Sequence, residues 1–218
     1  MGKRRVAILI SGRGSNMASL IEAARAPDFP AEIVLVASNI AGAGGLEKAR
    51  NAGIETLTVE SKPFGKDREA FERTLNDKLV AHNVELVCLA GFLRLLTPWF
   101  VKQWDGRMLN IHPALLPSYR GLHTHERALA DGVKIHGATV HFVVPEVDAG
   151  PIIIQGAVAV RDDDTPDTLA ARVLTVEHQI YPDALRLVAS GQVQIKDGVC
   201  RTTANGSPDD QLIAPAII

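Results

Sequence analysis

The chain has 218 residues, of which 46% are hydrophobic and 22% charged, as is typical of a folded globular protein and not of a disordered one. Its 23 Lys and Arg residues against 25 Asp and Glu residues leave a formal net charge of −2, which argues against a broad nucleic-acid-binding face. No apolar run reaches the roughly 18 residues of a transmembrane helix, and the two cysteines lack zinc-site spacing. We therefore expect a cytoplasmic enzyme or binding protein with no membrane or nucleic-acid partner.

In the first half of the chain, short apolar runs alternate with amphipathic stretches. Strands are predicted at 6–10, 33–37, 55–59, 84–90 and 108–111. Helices are predicted at 16–26, 46–51 and 67–81, and Asp67 is the expected N-cap of the last one. This alternation implies βαβ crossovers, so the sequence predicts an α/β fold with a doubly wound, mostly parallel sheet.

The second half of the chain has a different pattern. Strands predicted at 139–144 and 152–160 have no long helix between them, which indicates antiparallel additions to the sheet. A long helix is predicted over 165–189, because Thr165 is a good N-cap and Pro166 suits the first helical position. Asp197-Gly198 predicts a type I′ hairpin between strands at 193–196 and 199–203, and we expect the tail at 206–218 to be loosely ordered.

A glycine-rich loop, Ser11-Gly12-Arg13-Gly14-Ser15-Asn16, joins the first predicted strand to the first predicted helix. Backbone N–H groups at a helix N-terminus bind anions such as phosphate, and glycine lets the backbone come close to the ligand. The loop lacks the third glycine and the distal acid of the dinucleotide fingerprint, and it lacks the Gly-Lys-Ser/Thr ending of a nucleoside-triphosphate loop. We predict a phosphate site here; the alternative is a tight turn with no ligand.

Asn110 and His112 lie at the end of the fifth predicted strand. Alternate residues of a strand point to the same side, so a carboxamide and an imidazole are expected side by side at the carboxyl edge of the sheet. An amide donor beside an imidazole that can carry a proton is what an oxyanion formed in acyl transfer requires. The alternative is a polar strand end with a hydrogen-bonded structural histidine.

Asp148 lies in a turn between two predicted strands of the second half. A carboxylate close to an imidazole stabilises the charged ring. Sequence spacing alone does not bring Asp148 to His112, and Asp-x-Gly is also a common turn sequence. His123 and His125 alternate like a metal-binding pair, but no third ligand is near in sequence, so no metal is expected. Structural roles suit the other candidates, His136, His141 and His178.

Five segments then form a recognisable set: ILISGRGSN, LAGFLRLLTPWFV, LNIHPALLPSYRGLHTHERAL, HGATVHFVVPEVDAGPIIIQ and VEHQIYP. In this order they closely resemble the glycinamide ribonucleotide formyltransferase family of folate-dependent enzymes. The Asn-x-His-Pro-x-Leu-Leu-Pro stretch with its downstream Asp is common to folate formyl transferases and hydrolases. The Gly-Leu-His-Thr-His continuation and the glycine loop are specific to this family.

The resemblance implies a Rossmann-like formyltransferase fold and a reaction in purine biosynthesis. The formyl group passes from 10-formyltetrahydrofolate, a co-substrate, to the amine of glycinamide ribonucleotide, without a metal. Asn110, His112 and Asp148 match the catalytic residues of the family: Asn110 donates to the tetrahedral oxyanion, protonated His112 stabilises it, and Asp148 keeps His112 charged.

The resemblance also implies two binding sites. The residues implied for the phosphate and ribose of the nucleotide are Gly14, Ser15, Asn16 and Glu177. The residues implied for the folate are Arg68, Leu93, Arg94, Leu95, Leu96, Asn110, Val144, Pro145, Glu146, Val147 and Asp148. We accordingly predict one catalytic domain over 1–218, with a phosphate-binding half at 1–112 and a folate-covering half at 113–205, acting as a monomer or homodimer on small molecules.

Three alternative functions have to be weighed. Formyltetrahydrofolate deformylase has the same three catalytic residues but an added N-terminal domain, for which we expect no room before Val6. Methionyl-tRNA formyltransferase has an added C-terminal domain and needs a basic face, which the net charge of −2 disfavours. A non-catalytic folate- or phosphate-binding module would not need both the oxyanion donor and the proton carrier, and both are present.

Overall fold

The computed structural model describes residues 2–203, so the predicted loose tail at 206–218 lies outside the described residues. The strands over this range are β1 Arg4–Ile10, β2 Ala31–Ser38, β3 Thr56–Thr58, β4 Leu86–Leu89, β5 Met108–His112, β6 Ile135–Phe142, β7 Ile152–Ala159, β8 Val193–Lys196 and β9 Val199–Thr202. The helices are α1 Ser15–Ala24, α2 Gly44–Asn51, α3 Arg68–Ala81, α4 Pro98–Gln103, α5 Thr124–Ala130 and α6 Pro166–Ala189.

Seven strands form one sheet in the order β3-β2-β1-β4-β5-β6-β7. Strands β1 to β5 run parallel, whereas β6 is antiparallel to β5 and β7 is antiparallel to β6. The predicted doubly wound α/β fold with antiparallel additions is therefore confirmed. The predicted hairpin is also present, and Asp197 and Gly198 between β8 and β9 have φ values of 51° and 75°, as a type I′ turn requires.

The predicted N-caps of two helices are confirmed. Asp67 accepts a hydrogen bond from Ala70 N at 3.0 Å at the start of α3, and Thr165 accepts one from Thr168 N at 3.2 Å at the start of α6. Helices α4 and α5, of six and seven residues, were not predicted because so short a segment shows no helical periodicity. Strand β6 begins at Ile135, four residues before the predicted start at 139.

The core lies on both faces of the sheet. In β1, Val6, Ile8 and Ile10 pack on the face covered by α1, α2 and α6, whereas Ala7 and Leu9 pack on the face covered by α3 and α4. All five side chains are fully buried, which is why the strand reads as a continuous apolar run. Burial of each large aliphatic side chain contributes roughly 1.5–3 kcal/mol.

The order of the strands fixes where a site can form. Because β1 is followed spatially by β2 on one side and by β4 on the other, the strand order reverses between β1 and β4. Ligands of open α/β sheets bind at the carboxyl ends of the strands beside such a reversal. The glycine loop after β1 and the segment after β4 both lie at this edge, as do the last residues of β5.

Candidate active site

A cleft of about 1140 Å³ opens at this edge of the sheet. Most of the predicted site residues line it, namely Asn16, Arg68, Leu93, Arg94, Leu95, Leu96, Asn110, His112, Val144, Pro145, Val147, Asp148 and Glu177. Three predicted residues, Gly14, Ser15 and Glu146, are not among those that line it: the first two lie in the glycine loop next to Asn16, and the Glu146 side chain pairs with Arg120, with Oε1 and Nη1 2.6 Å apart. The cleft therefore brings together side chains from both halves of the chain, including the three predicted catalytic residues.

The antiparallel pairing of β5 with β6 determines the surroundings of Asn110. It places His141 directly opposite Asn110, and Asn110 Nδ2 lies 3.2 Å from His141 Nε2. His141 Nδ1 lies 2.8 Å from the carbonyl oxygen of Phe142, which only accepts, so Nδ1 donates and Nε2 accepts from the amide. Burial lowers the pKa of His141 and keeps this ring neutral. One hydrogen of the Asn110 amide is thus committed and the other is free for a ligand.

His112 has an acceptor at each ring nitrogen. Its Nε2 lies 2.9 Å from the carbonyl oxygen of Tyr119, and its Nδ1 lies 3.4 Å from Asp148 Oδ2. Because a carbonyl oxygen only accepts, Nε2 carries a hydrogen, while the Asp148 carboxylate faces Nδ1. The side chain is only 6% exposed and that of Asp148 only 11%, so solvent screens this pair weakly.

The turn around Asp148 is what brings its carboxylate to His112. Asp148 has a φ of 51°, and its Oδ2 accepts from the backbone N–H of Gly121 at 2.9 Å. Its Oδ1 lies 3.7 Å from His141 Nε2. The Asp148 carboxylate thus stands between two histidines on neighbouring strands, a contact that sequence spacing did not establish.

The glycine loop leads into α1 with the geometry of an anion-binding turn. Gly14 has a φ of 67°, and a Cβ atom there would lie 3.0 Å from Gly45 Cα, so glycine is required on both counts. The first helical hydrogen bond runs from Ala18 N to Gly14 O at 3.1 Å. The N–H groups of the three residues before Ala18 therefore lack acceptors in the helix and are suited to an anion.

Asn16 and Glu177 meet beneath this loop although 161 positions separate them in sequence. Asn16 Nδ2 donates to Glu177 Oε2 at 2.6 Å, so the Asn16 side chain points towards α6. Asn16 Oδ1 is buried and has no hydrogen-bond partner among the described residues. Burial raises the pKa of Glu177, whereas the bond from Asn16 lowers it.

The segment after β4 forms the apolar wall of the cleft. Leu93 and Leu95 are 76% and 62% exposed, unusual values for leucine, and Arg68 Nη1 donates to the Leu95 carbonyl oxygen at 3.3 Å. The Arg94 guanidinium lies 4.8 Å from the centre of the Phe71 ring. This wall presents apolar side chains to the cleft.

Comparison with known proteins identifies the family. The model of the formyl transferase family matches residues 4–185. Phosphoribosylglycinamide formyltransferase of Escherichia coli (strain K12) is 45% identical over 192 residues, which cover 88% of this chain and 90% of that protein. The chain belongs to the formyl transferase family, in its phosphoribosylglycinamide formyltransferase branch. The fold and family resemblance predicted from the five segments are confirmed.

Two further similarities place this formyltransferase. A crystal structure of glycinamide ribonucleotide transformylase 1 from Symbiobacterium toebii is 42% identical, has a TM-score of 0.89, and covers 92% of this chain and 94% of that one. The trifunctional purine biosynthetic protein adenosine-3 of Bos taurus is 49% identical over 203 residues. Those residues make up 92% of this chain but only 20% of the bovine protein.

Other features of the formyltransferase concern metals, membranes and thiols. Within residues 2–203, no cluster of three or more His, Cys, Asp or Glu side chains has the arrangement of a metal site. No helix in this range has the length and apolar character to span a membrane. Cys88 is fully buried in the core, and burial raises the pKa of its thiol to about 12.

Sequence reasoning missed three contributors to the site. His141 was predicted to have only a structural role, yet it accepts a hydrogen bond from the Asn110 amide. The Tyr119 carbonyl oxygen contacts His112, and the Gly121 N–H donates to Asp148. The two backbone groups carry no signal in the sequence. For His141, the register of β5 against β6 is the missing information, because it alone places that ring opposite Asn110.

Proposed function

We propose that this chain transfers the formyl group of 10-formyltetrahydrofolate to the amine of glycinamide ribonucleotide, giving formylglycinamide ribonucleotide and tetrahydrofolate. The observation that carries the proposal is the convergence of Asn110, His112 and Asp148 at the cleft that also contains Asn16 and Glu177. The similarity to phosphoribosylglycinamide formyltransferase over 90% of its length supports the same reaction.

The proposed chemistry is a direct acyl transfer. The lone pair of the substrate amine forms a bond to the formyl carbon, and the π electrons of the carbonyl move to its oxygen. The free N–H of Asn110 donates to this oxyanion, and protonated His112 stabilises it through its charge. Collapse re-forms the carbonyl and breaks the bond to the folate nitrogen, which takes up the proton given up by the amine. A water molecule is suited to carry that proton.

Asp148 and His141 act through the two catalytic side chains. Asp148 Oδ2, at 3.4 Å from His112 Nδ1, favours the positive ring electrostatically. His141 accepts from one amide hydrogen of Asn110 and so directs the other hydrogen to the cleft. An oxyanion donor of this kind is typically worth about 3 kcal/mol of barrier reduction.

The nucleotide is proposed to bind where the glycine loop adjoins the cleft at Asn16, and the folate between the apolar walls of the cleft. The N–H groups of Ser15 and Asn16, at the start of α1 after Gly14, suit the nucleotide phosphate. The Glu177 carboxylate, beside Asn16, suits the ribose hydroxyls. Leu93 to Leu96 with Arg68 on one side, and 144–148 on the other, suit the flat pterin ring and its hydrogen-bonding edge.

We further propose a cytoplasmic protein acting as a monomer or homodimer, with residues 1–218 forming one catalytic domain. Cys88 and Cys200 are free thiols, as expected in a reducing compartment. Small molecules suit the cleft, and neither nucleic acid nor membrane is proposed as a partner.

The test is a measurement of tetrahydrofolate release from 10-formyltetrahydrofolate by the purified chain, with and without glycinamide ribonucleotide. We expect release only when the nucleotide is present and equal molar amounts of the two products. Release without the nucleotide would show a deformylase instead. Binding of both compounds without turnover would show a non-catalytic module.

A further inference from the structure

The segment that forms the apolar wall of the cleft has no regular secondary structure of its own. We call residues 91–97, between β4 and α4, the wall loop. Its leucines at 93 and 95 are largely exposed, so hydrophobic burial does not hold them in place. Phe92 and Leu96 pack partly against the core, so the exposed positions between them depend on hydrogen bonds for a defined conformation.

Ser11 holds the first part of the wall loop. Its side-chain hydroxyl donates to Asn39 Oδ1 at 2.6 Å and accepts from Leu93 N at 2.9 Å, while its backbone N–H donates to the Gly91 carbonyl oxygen at 3.0 Å. Because an amide oxygen only accepts, the Ser11 proton goes to Asn39 and a lone pair is left for Leu93. Ser11 is buried and does not line the cleft.

Glu72 holds the last part of the wall loop. Its carboxylate accepts from Thr97 N at 2.9 Å through Oε1 and from the Thr97 hydroxyl through Oε2. Glu72 lies on α3, is only 1% exposed, and is not part of the cleft wall. A buried carboxylate is costly unless its oxygens are satisfied, and here two donors of one loop residue satisfy it.

We propose that Ser11 and Glu72 are positioning residues that fix the wall loop in the conformation that receives the folate. The inference rests on the proposed function, which makes this loop part of the folate site. Ser11 also begins the glycine loop, so it joins the surfaces proposed for the two substrates. Neither side chain lines the cleft. Ser11 acts through the Leu93 N–H, and Glu72 acts through both the N–H and the hydroxyl of Thr97.

Steady-state kinetics with both substrates test the proposal. Thr97→Val removes the hydroxyl with little change of shape, and Thr97→Ser keeps it. We expect Thr97→Val and Glu72→Gln to raise KM for 10-formyltetrahydrofolate about tenfold, equivalent to about 1.4 kcal/mol, with KM for glycinamide ribonucleotide changed less than twofold. Thr97→Ser is expected to behave like the unsubstituted chain.

Ser11→Ala is expected to raise KM for the folate more than that for the nucleotide, because it releases Leu93 N. Two matched controls are Glu69→Gln, an exposed glutamate of α3 paired with Arg73, and Ser190→Ala at the end of α6. Both controls are expected to leave each KM unchanged.

Amide hydrogen exchange provides a second measurement that needs no turnover. Exchange at Leu93 N–H is expected to speed up in Ser11→Ala, and exchange at Thr97 N–H in Glu72→Gln, each about tenfold more than at amides of β1. Unchanged exchange at these two amides, or an equal rise of both KM values in Thr97→Val, would overturn the inference. If amide exchange in the wall loop responded as expected but the purified chain did not transfer the formyl group, only the proposed function would be overturned.

Discussion

Asn110 and His112 present their hydrogen-bonding groups to the cleft in opposite ways. The Asn110 amide has one hydrogen bound by a neutral histidine and one free, whereas both nitrogens of His112 already face acceptors. Asn110 is therefore suited to donate a hydrogen bond to an oxyanion, and His112 is suited to stabilise it by charge. The role proposed for each residue therefore follows from which of its hydrogens and lone pairs already have partners within the protein.

The first prediction concerns the separate roles of the Asn110 amide and the His112 ring. His112→Ala and Asn110→Ala should each lower kcat by about 10²–10³-fold, the loss typical of one oxyanion-stabilising group. The double variant should lose less than the product of the two factors, because both groups serve one charge. Kinetics of the three variants measure this, with His82→Ala, a histidine that does not line the cleft, as the control. A double loss equal to the product would mean that the two groups act independently.

The second prediction concerns His136, whose ring is buried between those of Tyr119 and His125. Burial lowers its pKa from 6.5 to about 4. The unfolded chain therefore binds a proton that the native chain does not, and stability is lost as pH falls from 6.5 towards 4. The loss in the free energy of unfolding is on the order of 2–3 kcal/mol. Above pH 6.5 His136 is neutral in both the native and the unfolded chain, so it adds no pH dependence to the free energy of unfolding.

Urea unfolding at pH 7 and pH 4.5 measures that loss. His136→Asn should be less stable than the unsubstituted chain at pH 7 but should lose less stability on acidification. His123→Asn, at an exposed histidine, serves as the control. It should lose as much stability between pH 7 and pH 4.5 as the unsubstituted chain does. If His136→Asn showed the same loss between the two pH values as the control, another group would be responsible.

At the scale of elements, the site depends on close approach between the glycine loop and α2. Gly14 contacts Gly45 at the start of α2, and Gly45 N donates to Gly12 O at 3.0 Å. A Cβ at Gly45 would in turn lie 2.5 Å from Ile10 Cδ1. The α2 N-terminus therefore fixes the conformation of the loop from outside the cleft.

The third prediction tests this packing. Gly14→Ala places a side chain at a positive φ and against Gly45, so it should destabilise the chain by about 1–3 kcal/mol and raise KM for the nucleotide more than that for the folate. Gly44→Ala is the matched control, since nothing lies within 4 Å of a Cβ there. Thermal melting measures the loss of stability, and the KM values for the two substrates measure the effect on binding. An equal effect of the two substitutions would contradict the steric argument.

At the scale of the whole molecule, α6 connects the two halves of the chain. Its Glu177 meets the glycine loop, and its fully buried Tyr181 donates to the carbonyl oxygens of Leu89 at 2.9 Å and Leu109 at 3.3 Å. These carbonyls belong to β4, which leads into the wall loop, and to β5, which carries the proposed catalytic residues Asn110 and His112. Through Tyr181, α6 therefore contacts strand residues that lie 72 and 92 positions earlier in the chain.

The fourth prediction follows from that contact. Tyr181→Phe removes one hydroxyl shared by two strands and should lower the free energy of unfolding by about 1–2 kcal/mol. Because the phenyl ring still fills its place, kcat should change less than threefold. Urea unfolding and kinetics measure the two effects separately. A large loss of kcat with unchanged stability would assign Tyr181 a direct part in the reaction.

The sequence alone determined the features that depend on neighbours along the chain. Apolar runs such as 6–10 and 86–90 indicated buried parallel strands. Thr165-Pro166 and Asp67 indicated helix starts, and Asp197-Gly198 indicated the hairpin. The motifs around Asn110, His112 and Asp148 were specific enough to indicate the family. Short helices and strand boundaries were less accurate, because a segment of six residues shows little periodicity.

Only the tertiary structure decided how distant residues meet. The contact of Asp148 with His112 depends on a turn at positive φ, that of His141 with Asn110 on strand register, and that of Glu177 with Asn16 on the docking of α6 across the sheet. Ser11, named only as part of the glycine loop, and Glu72, which no motif singled out, reach the wall loop only after the fold has formed. The physical reason is that local patterns encode burial and turn geometry, whereas hydrogen bonds between distant groups are set by the packing of whole elements.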